Sequence, residues 1–333
     1  MANNKGYQPY KPHGKNAAWL RAAEHIIYQY KDNWPLTARQ IFYRMVASVN
    51  YPKTETAYKA LAAMLAKARR ASLVQNGTEV HIPFNAIRDD TMRIVEVTSF
   101  DGTKDFMQSV VQWSKGFMLD RQIGQEQVIE AWCEAGGMVP ILADLAFPFG
   151  IRVNSNGGYD SVTSKHKLAD RVVKRAREQR RPTIVLHVGD FDPSGENMCN
   201  VLHEDVLTMV CQRLCSGKEK MSWSEASEMF SVERVALTAR QVIEYNVITA
   251  PPKPSDSRME GFLEQNWELV DELGTEDISA QLEALTPPQL EALLTDTIEG
   301  HLDRDMYDET LRREAKLRDE LVKRMEAEVE RAQ

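Results

Sequence analysis

The chain has 333 residues, 43% of them hydrophobic and 27% charged, a balance that fits a soluble globular protein with more than one small core. No apolar run approaches the length of a membrane-spanning helix. The net charge of −8 argues mildly against a nucleic-acid partner, but the mean hides an asymmetry. Lys and Arg outnumber Asp and Glu by about two to one over residues 1–100, and the ratio is roughly reversed after residue 250. Phosphate binding depends on local potential, so a basic front half keeps DNA in play.

Residues 1–16 carry no apolar signal core and are expected to form a short disordered leader. Residues 17–30 are apolar at helical spacing. Thr37 is positioned as the N-cap of a second helix, ARQIFYRMVAS, and a third, basic helix covers residues 54–74. Asn76-Gly77 and the run VHIPF follow, in the manner of a wing-like hairpin or strand. Periodicity alone fits a three-helix bundle equally well. The basic surplus favours a winged helix-turn-helix over residues 17–100, with Arg44, Lys59, Lys67, Arg69 and Arg70 as DNA-contacting candidates. Residues 101–126 read as a linker with a helix near 105–115.

From residue 127 the pattern becomes strand–helix alternation, which predicts a parallel, doubly wound α/β sheet over 127–250. The expected strands are QVIEAWC up to Glu134, IRVNSN closed by Gly157-Gly158, TIVLHV, and ERVALT. Between the second and third lies a basic helix over 161–180, bearing Lys165, Lys167, Arg171, Lys174, Arg175 and Arg177. It reads either as a solvated face or as the lining of a DNA channel. Residues 251–333 form an acidic, helical extension, and its last helix, over 307–331, fits a solvated surface helix better than a dimer contact.

The densest chemistry lies in GDFDPSG, residues 189–195. Asp190 and Asp192 follow a buried strand, at the edge where open α/β sheets bind ligands, and Pro193 suits the first turn of a helix. A single Asp there would be an ordinary cap, whereas a pair suits oxygen-ligated Mg²⁺. Glu134 ends another strand and is expected to join them, because bunched carboxylates repel unless a cation neutralises them. The four cysteines (Cys133, Cys199, Cys211, Cys215) form no C-x-x-C pair and suit free cytosolic thiols, and the histidines show no zinc spacing.

A strand-end Glu followed later by D-x-D-P-x-G resembles the Toprim domain of topoisomerases, bacterial primases and some nucleases. Thr37-Ala38-Arg39-Gln40-Ile41-Phe42-Tyr43 resembles the R-D-[IL]-[FY]-Y motif of the topoisomerase VI A subunit and the meiotic double-strand-break protein. The order and compactness are most similar to the Topo mini-A branch of that family, over about residues 17–300. Two departures stand out: Gln40 replaces the motif's aspartate, and Ala135-Gly136-Gly137 follow Glu134 where a basic residue is common.

The resemblance implies a type IIB-like DNA topoisomerase, a double-strand DNA-cleaving transesterase, with Tyr43 as nucleophile and Arg39 as its cation. Glu134, Asp190 and Asp192 would hold Mg²⁺. It also implies a homodimer on double-stranded DNA in which the tyrosine of one subunit serves the metal site of the other, in a cytoplasmic, nucleoid-associated setting. No G-x-x-x-x-G-K-[ST] loop is present, so strand passage is either ATP-independent or served by a separate ATPase subunit. The alternatives are a Toprim metal-dependent nuclease with Tyr43 as packing, and a non-catalytic DNA-binding recombination accessory protein. A free phenol has a pKa near 10, a deficit of roughly 4 kcal/mol at pH 7, which Arg39 is expected to reduce from four residues away.

Overall fold

The structure, a computed structural model, describes residues 6–88, 97–155, 161–216 and 220–331. It is a mixed α/β fold with parallel sheets. The front half holds α1 (Lys15–Gln29), β1 (Leu36–Thr37), α2 (Ala38–Val49), α3 (Glu55–Ala71) and β2 (Ile87–Arg88). Thr37 caps α2 as the sequence predicts, and Gln40 returns its side-chain oxygen to the Thr37 N–H at 2.9 Å, closing a capping box. The run VHIPF forms no strand; the neighbouring Ile87–Arg88 pairs in parallel with Leu36–Thr37. Residues 89–96, where a wing would continue, lie outside the described residues. Of the expected leader, Tyr10 is already anchored, its N–H donating to the Gly77 carbonyl.

After α4 (Thr103–Lys115) the chain builds β3 (Val128–Cys133), α5 (Val139–Ala146), β4 (Arg152–Ser155), α6 (Val162–Gln179), β5 (Thr183–Val188) and α7 (Pro193–Leu214). Then come α8 (Trp223–Ser227), β6 (Phe230–Ala236) and α9 (Ala239–Glu244). The four strands pair in parallel in the order β4-β3-β5-β6. Gly157-Gly158, expected to close the second strand, lie outside the described residues. The chain runs outward from β3 to β4, then returns past β3 to β5. The strand order therefore reverses at the β3/β5 boundary, with α5 packed on one face and α6 and α7 on the other.

The acidic extension supplies α10 (Met259–Gln265), α11 (Trp267–Leu273), α12 (Pro287–Gly300) and α13 (Arg304–Arg331). One continuous apolar cluster joins α1–α3, the α5 face of the sheet and α12, so the front half and the sheet share a core. The last helix is more than a solvated surface element. Its Glu314 is 2% exposed and accepts the Leu119 N–H and the Arg121 guanidinium, tying the residues after α4 to α13.

Glu130 illustrates how the α6 face is held. It is 1% exposed, and burial alone would raise its pKa. The Arg171 and Arg175 guanidiniums, at 2.6 and 2.8 Å, hold it below the ordinary carboxylate value. Removing the carboxylate would leave two cations facing a buried gap. Glu130→Ala is expected to cost about 3 kcal/mol, read as a lower midpoint of urea unfolding; a midpoint within error of the parent would refute this role.

Candidate active site

The carboxyl ends of β3 and β5 are adjacent, and the Glu134 N–H still bonds the Val188 carbonyl at 3.1 Å. This brings Glu134, Asp190 and Asp192 to the point where the strand order reverses. Asp192 is the N-cap of α7, accepting the Gly195 N–H at 2.7 Å, with Pro193 in the first turn. Asp190 Oδ1 accepts the Leu282 N–H at 2.8 Å. The Asp190 N–H reaches back to the Glu134 carboxylate, whose Oε2 is buried with no partner among the described residues.

The glycines of the motif have steric reasons. A Cβ at Gly189 would stand 2.8 Å from Glu134 Oε2, and one at Gly195 would stand 2.2 Å from the Asp190 carbonyl. Any side chain at either position would push into the carboxylates or the loop that carries them.

Electrostatics follow from this crowding. Burial, then Asp190 and Asp192, push Glu134 up to about 7, with Arg234 opposing. Burial, then Asp190, push Glu283 up to about 7, and burial also raises Asp190. Among the described residues no three carboxylate, imidazole or thiol groups are already drawn together as a closed metal-ligand set. The orphaned Glu134 oxygen, beside two further carboxylates, is nonetheless a donor set that suits a hard divalent cation such as Mg²⁺.

Because Glu134 and Glu283 lie above their ordinary value of 4.5, the stability they contribute is complete below that pH. It is lost as pH rises toward 7. The metal-free protein is therefore expected to melt lower at pH 8 than at pH 5.5, and Mg²⁺ should raise Tm at pH 8 but hardly at pH 5.5. Equal Tm values across pH, with or without Mg²⁺, would contradict the coupling.

Tyr43 and Arg39 lie four residues apart on α2, and both reach Gln281 Oε1 at 2.7 Å. Arg39 also stacks on the Tyr58 ring, 4.9 Å from its centroid. The phenol is 8% exposed. Burial, then Glu283, push it up to about 12; Asp190 adds to this and Arg39 opposes it. Arg39 thus acts in the expected direction and is outweighed.

Tyrosine and carboxylates are also connected within a single chain. Ala280 bridges Phe191 with paired backbone bonds of 2.8 Å, and the next two residues serve the two halves of the site. Gln281 takes Tyr43 while Leu282 takes Asp190, so the phenol lies within electrostatic reach of Asp190 in a single chain.

The candidate DNA-contacting cations divide into two groups. Arg69, 6% exposed, donates to the Phe84 and Ile87 carbonyls, and Lys165, 1% exposed, pairs with Asp205 at 2.6 Å. Arg44 donates to the Ala284 carbonyl, and Arg171 is paired with Glu130. Arg69 and Lys165 are thus buried on the packed sides of their helices, while Arg44 and Arg171 are half-buried and engaged with partners inside the fold. Lys59 and Lys167 are exposed, while Lys67 lies over the Tyr10 ring and Arg70 is half-buried beside it. Lys174 and Arg177 extend the exposed side of α6.

No family model matches the chain, and no curated protein matches it.

The sequence reading missed Gln281, Glu283 and Arg234. Arg234 donates to the Gly195, Asp190 and Leu237 carbonyls, bracing the aspartate loop from β6. A faint signal existed for Glu283, an acid inside the otherwise apolar run LEAL, where an ionisable group is held by burial rather than by solvent. The site thus brings a hydroxyl and a guanidinium, joined through Gln281, within electrostatic reach of a carboxylate cluster.

Proposed function

We propose that the chain is a DNA-cleaving transesterase of the type IIB topoisomerase kind, a winged-helix tyrosine domain joined to a Toprim domain, acting as a homodimer on double-stranded DNA. The observation that carries this reading is the Gln281–Leu282 bridge, which couples the Tyr43 hydroxyl and the Asp190 carboxylate within one site. The R-Q-I-F-Y and D-F-D-P-S-G motifs supply its two halves. A two-fold dimer would present two such tyrosines to opposite strands, as a double-strand break requires.

In the proposed reaction the Tyr43 oxygen bonds to the scissile phosphorus and the bond to the leaving deoxyribose oxygen breaks. The phenolic proton, donated to Gln281 Oε1 at rest, passes to a carboxylate of the site. Arg39 faces the charge that develops on the phosphate. A divalent cation held by Glu134, Asp190 and Asp192 would supply Lewis-acid stabilisation of that charge. The phosphotyrosine bond keeps the energy of the broken phosphodiester, so resealing needs no ATP. Whether strand passage calls for a separate ATPase subunit is tested by running relaxation with and without ATP.

One observation favours a second reading, a metal-dependent nuclease in which water attacks. Tyr43 is buried, bonded to Gln281 and pushed up to about 12, as a packing residue would be. Supercoiled plasmid incubated with the protein and Mg²⁺, then denatured with detergent, separates the two. Protein covalently attached to linear DNA supports the transesterase, and breaks with no attached protein would establish the nuclease in its place.

A further inference from the structure

At the amino end of β3, whose carboxyl end leads to Glu134, lies a cavity of about 430 Å³. Its walls are Arg152, Arg175, Arg181, Asp120 and Gln179, and its floor is Glu130 with the adjoining backbone of β3. Glu130 is already saturated by Arg171 and Arg175. Arg152 stands opposite Glu130 in the β3–β4 register, is exposed, and forms no ion pair with any described residue.

Arg181 is held by neutral groups alone. Its Nη2 donates to the Gln122 and Gln127 carbonyls at 2.6 and 3.2 Å and its Nη1 to Gln179, while its Nε is buried without a partner. Burial and the neighbouring Arg175 both act against its charge, with Asp120 the one carboxylate in support. Three guanidiniums (Arg152, Arg175 and Arg181) thus line the cavity against two carboxylates (Asp120 and Glu130), and Arg171 shares Glu130 from outside it, so the lining carries a net positive charge.

We infer that this cavity is an anion site for a phosphate monoester of up to nucleotide size. An anion matches the net positive lining, and the planar guanidinium forks of Arg152 and Arg181 suit phosphate oxygens. The volume falls in the range of small-molecule sites and exceeds what inorganic phosphate alone would fill. The site is independent of the transesterase reading, since it shares no residue with the carboxylate cluster.

Titration calorimetry with adenosine 5′-monophosphate, inorganic phosphate and adenosine tests it, using the full chain without metal. The monophosphate is expected to bind most tightly, phosphate more weakly and the nucleoside not at all. Arg152→Glu, at an exposed position, should weaken the monophosphate at least about tenfold. Tyr43→Phe and Asp190→Asn should leave its affinity unchanged, so failure of the transesterase reading leaves this test intact. Equal binding of nucleotide and nucleoside, an unaltered Kd in Arg152→Glu, or no heat up to about 10 mM would overturn the inference. Displacement of the nucleotide by a blunt duplex lacking terminal phosphates would also overturn it, assigning the cavity to the DNA backbone instead.

Discussion

Tyr43→Phe is expected to abolish covalent protein–DNA adducts while leaving the fold and DNA affinity intact. The substitution removes one oxygen. The ring keeps its edge-to-face contact with Phe42, and Arg39 retains its own bond to Gln281. One hydrogen bond is lost at a cost of about 1 kcal/mol, partly offset because a buried hydroxyl beside Glu283 and Asp190 also goes. The adduct signal should fall by more than about 1,000-fold, since phenylalanine offers no nucleophile.

In the resting site a phenol pushed up to about 12 is ionised in only about one molecule in 10⁵ at pH 7, roughly 7 kcal/mol short of phenolate. Part of that deficit comes from Glu283 and Asp190, and neutralising either carboxylate would reduce it. Adduct yield is therefore expected to climb with pH and with divalent cation in the parent. Adducts persisting in Tyr43→Phe would assign the nucleophile elsewhere.

Asp190→Asn is expected to lower Mg²⁺-dependent cleavage by about 10³-fold and, in the same protein, to raise stability without metal. Both effects have one cause. Asp190 raises the pKa of Glu134, of Glu283 and of Tyr43, so its charge is unfavourable to three neighbours until a cation offsets it. An amide oxygen can still accept the Leu282 N–H, which keeps the 280–285 segment in place. At pH 8 the metal-free variant should gain about 1–2 kcal/mol, allowing for partial solvent screening of Glu134. Its Tm should no longer respond to Mg²⁺. A variant less stable than the parent in chelator would mean that Asp190 is chiefly a structural acceptor, and retained cleavage would remove it from the metal site.

The parts readable from the chain alone are those whose causes lie within a few residues. Apolar β-branched runs marked β3, β5 and β6, and Thr37 announced the helix it caps. A strand ending in acids, met twice in a parallel sheet, was enough to expect Glu134 beside Asp190. The basic residues were not separable in this way. On α6, Lys165 is buried and Arg171 half-buried against Glu130 while Lys167 and Lys174 face solvent, and all four read as one basic helix. Which side of a weakly apolar helix is covered depends on what packs over it.

The sequence by itself placed Glu134, Asp190 and Asp192 at the strand ends, because turn residues, glycines and apolar β-branched runs are local, short-range signals. Only the tertiary structure decided how Tyr43 joins them. The hydroxyl and Gln281 are 238 positions apart, brought together by a segment with no motif of its own. The ionisation of the phenol, of Glu134 and of Glu283 was likewise settled by burial and by charges from distant parts of the chain. Desolvation and Coulomb interaction depend on distance through space, which the order of residues does not carry.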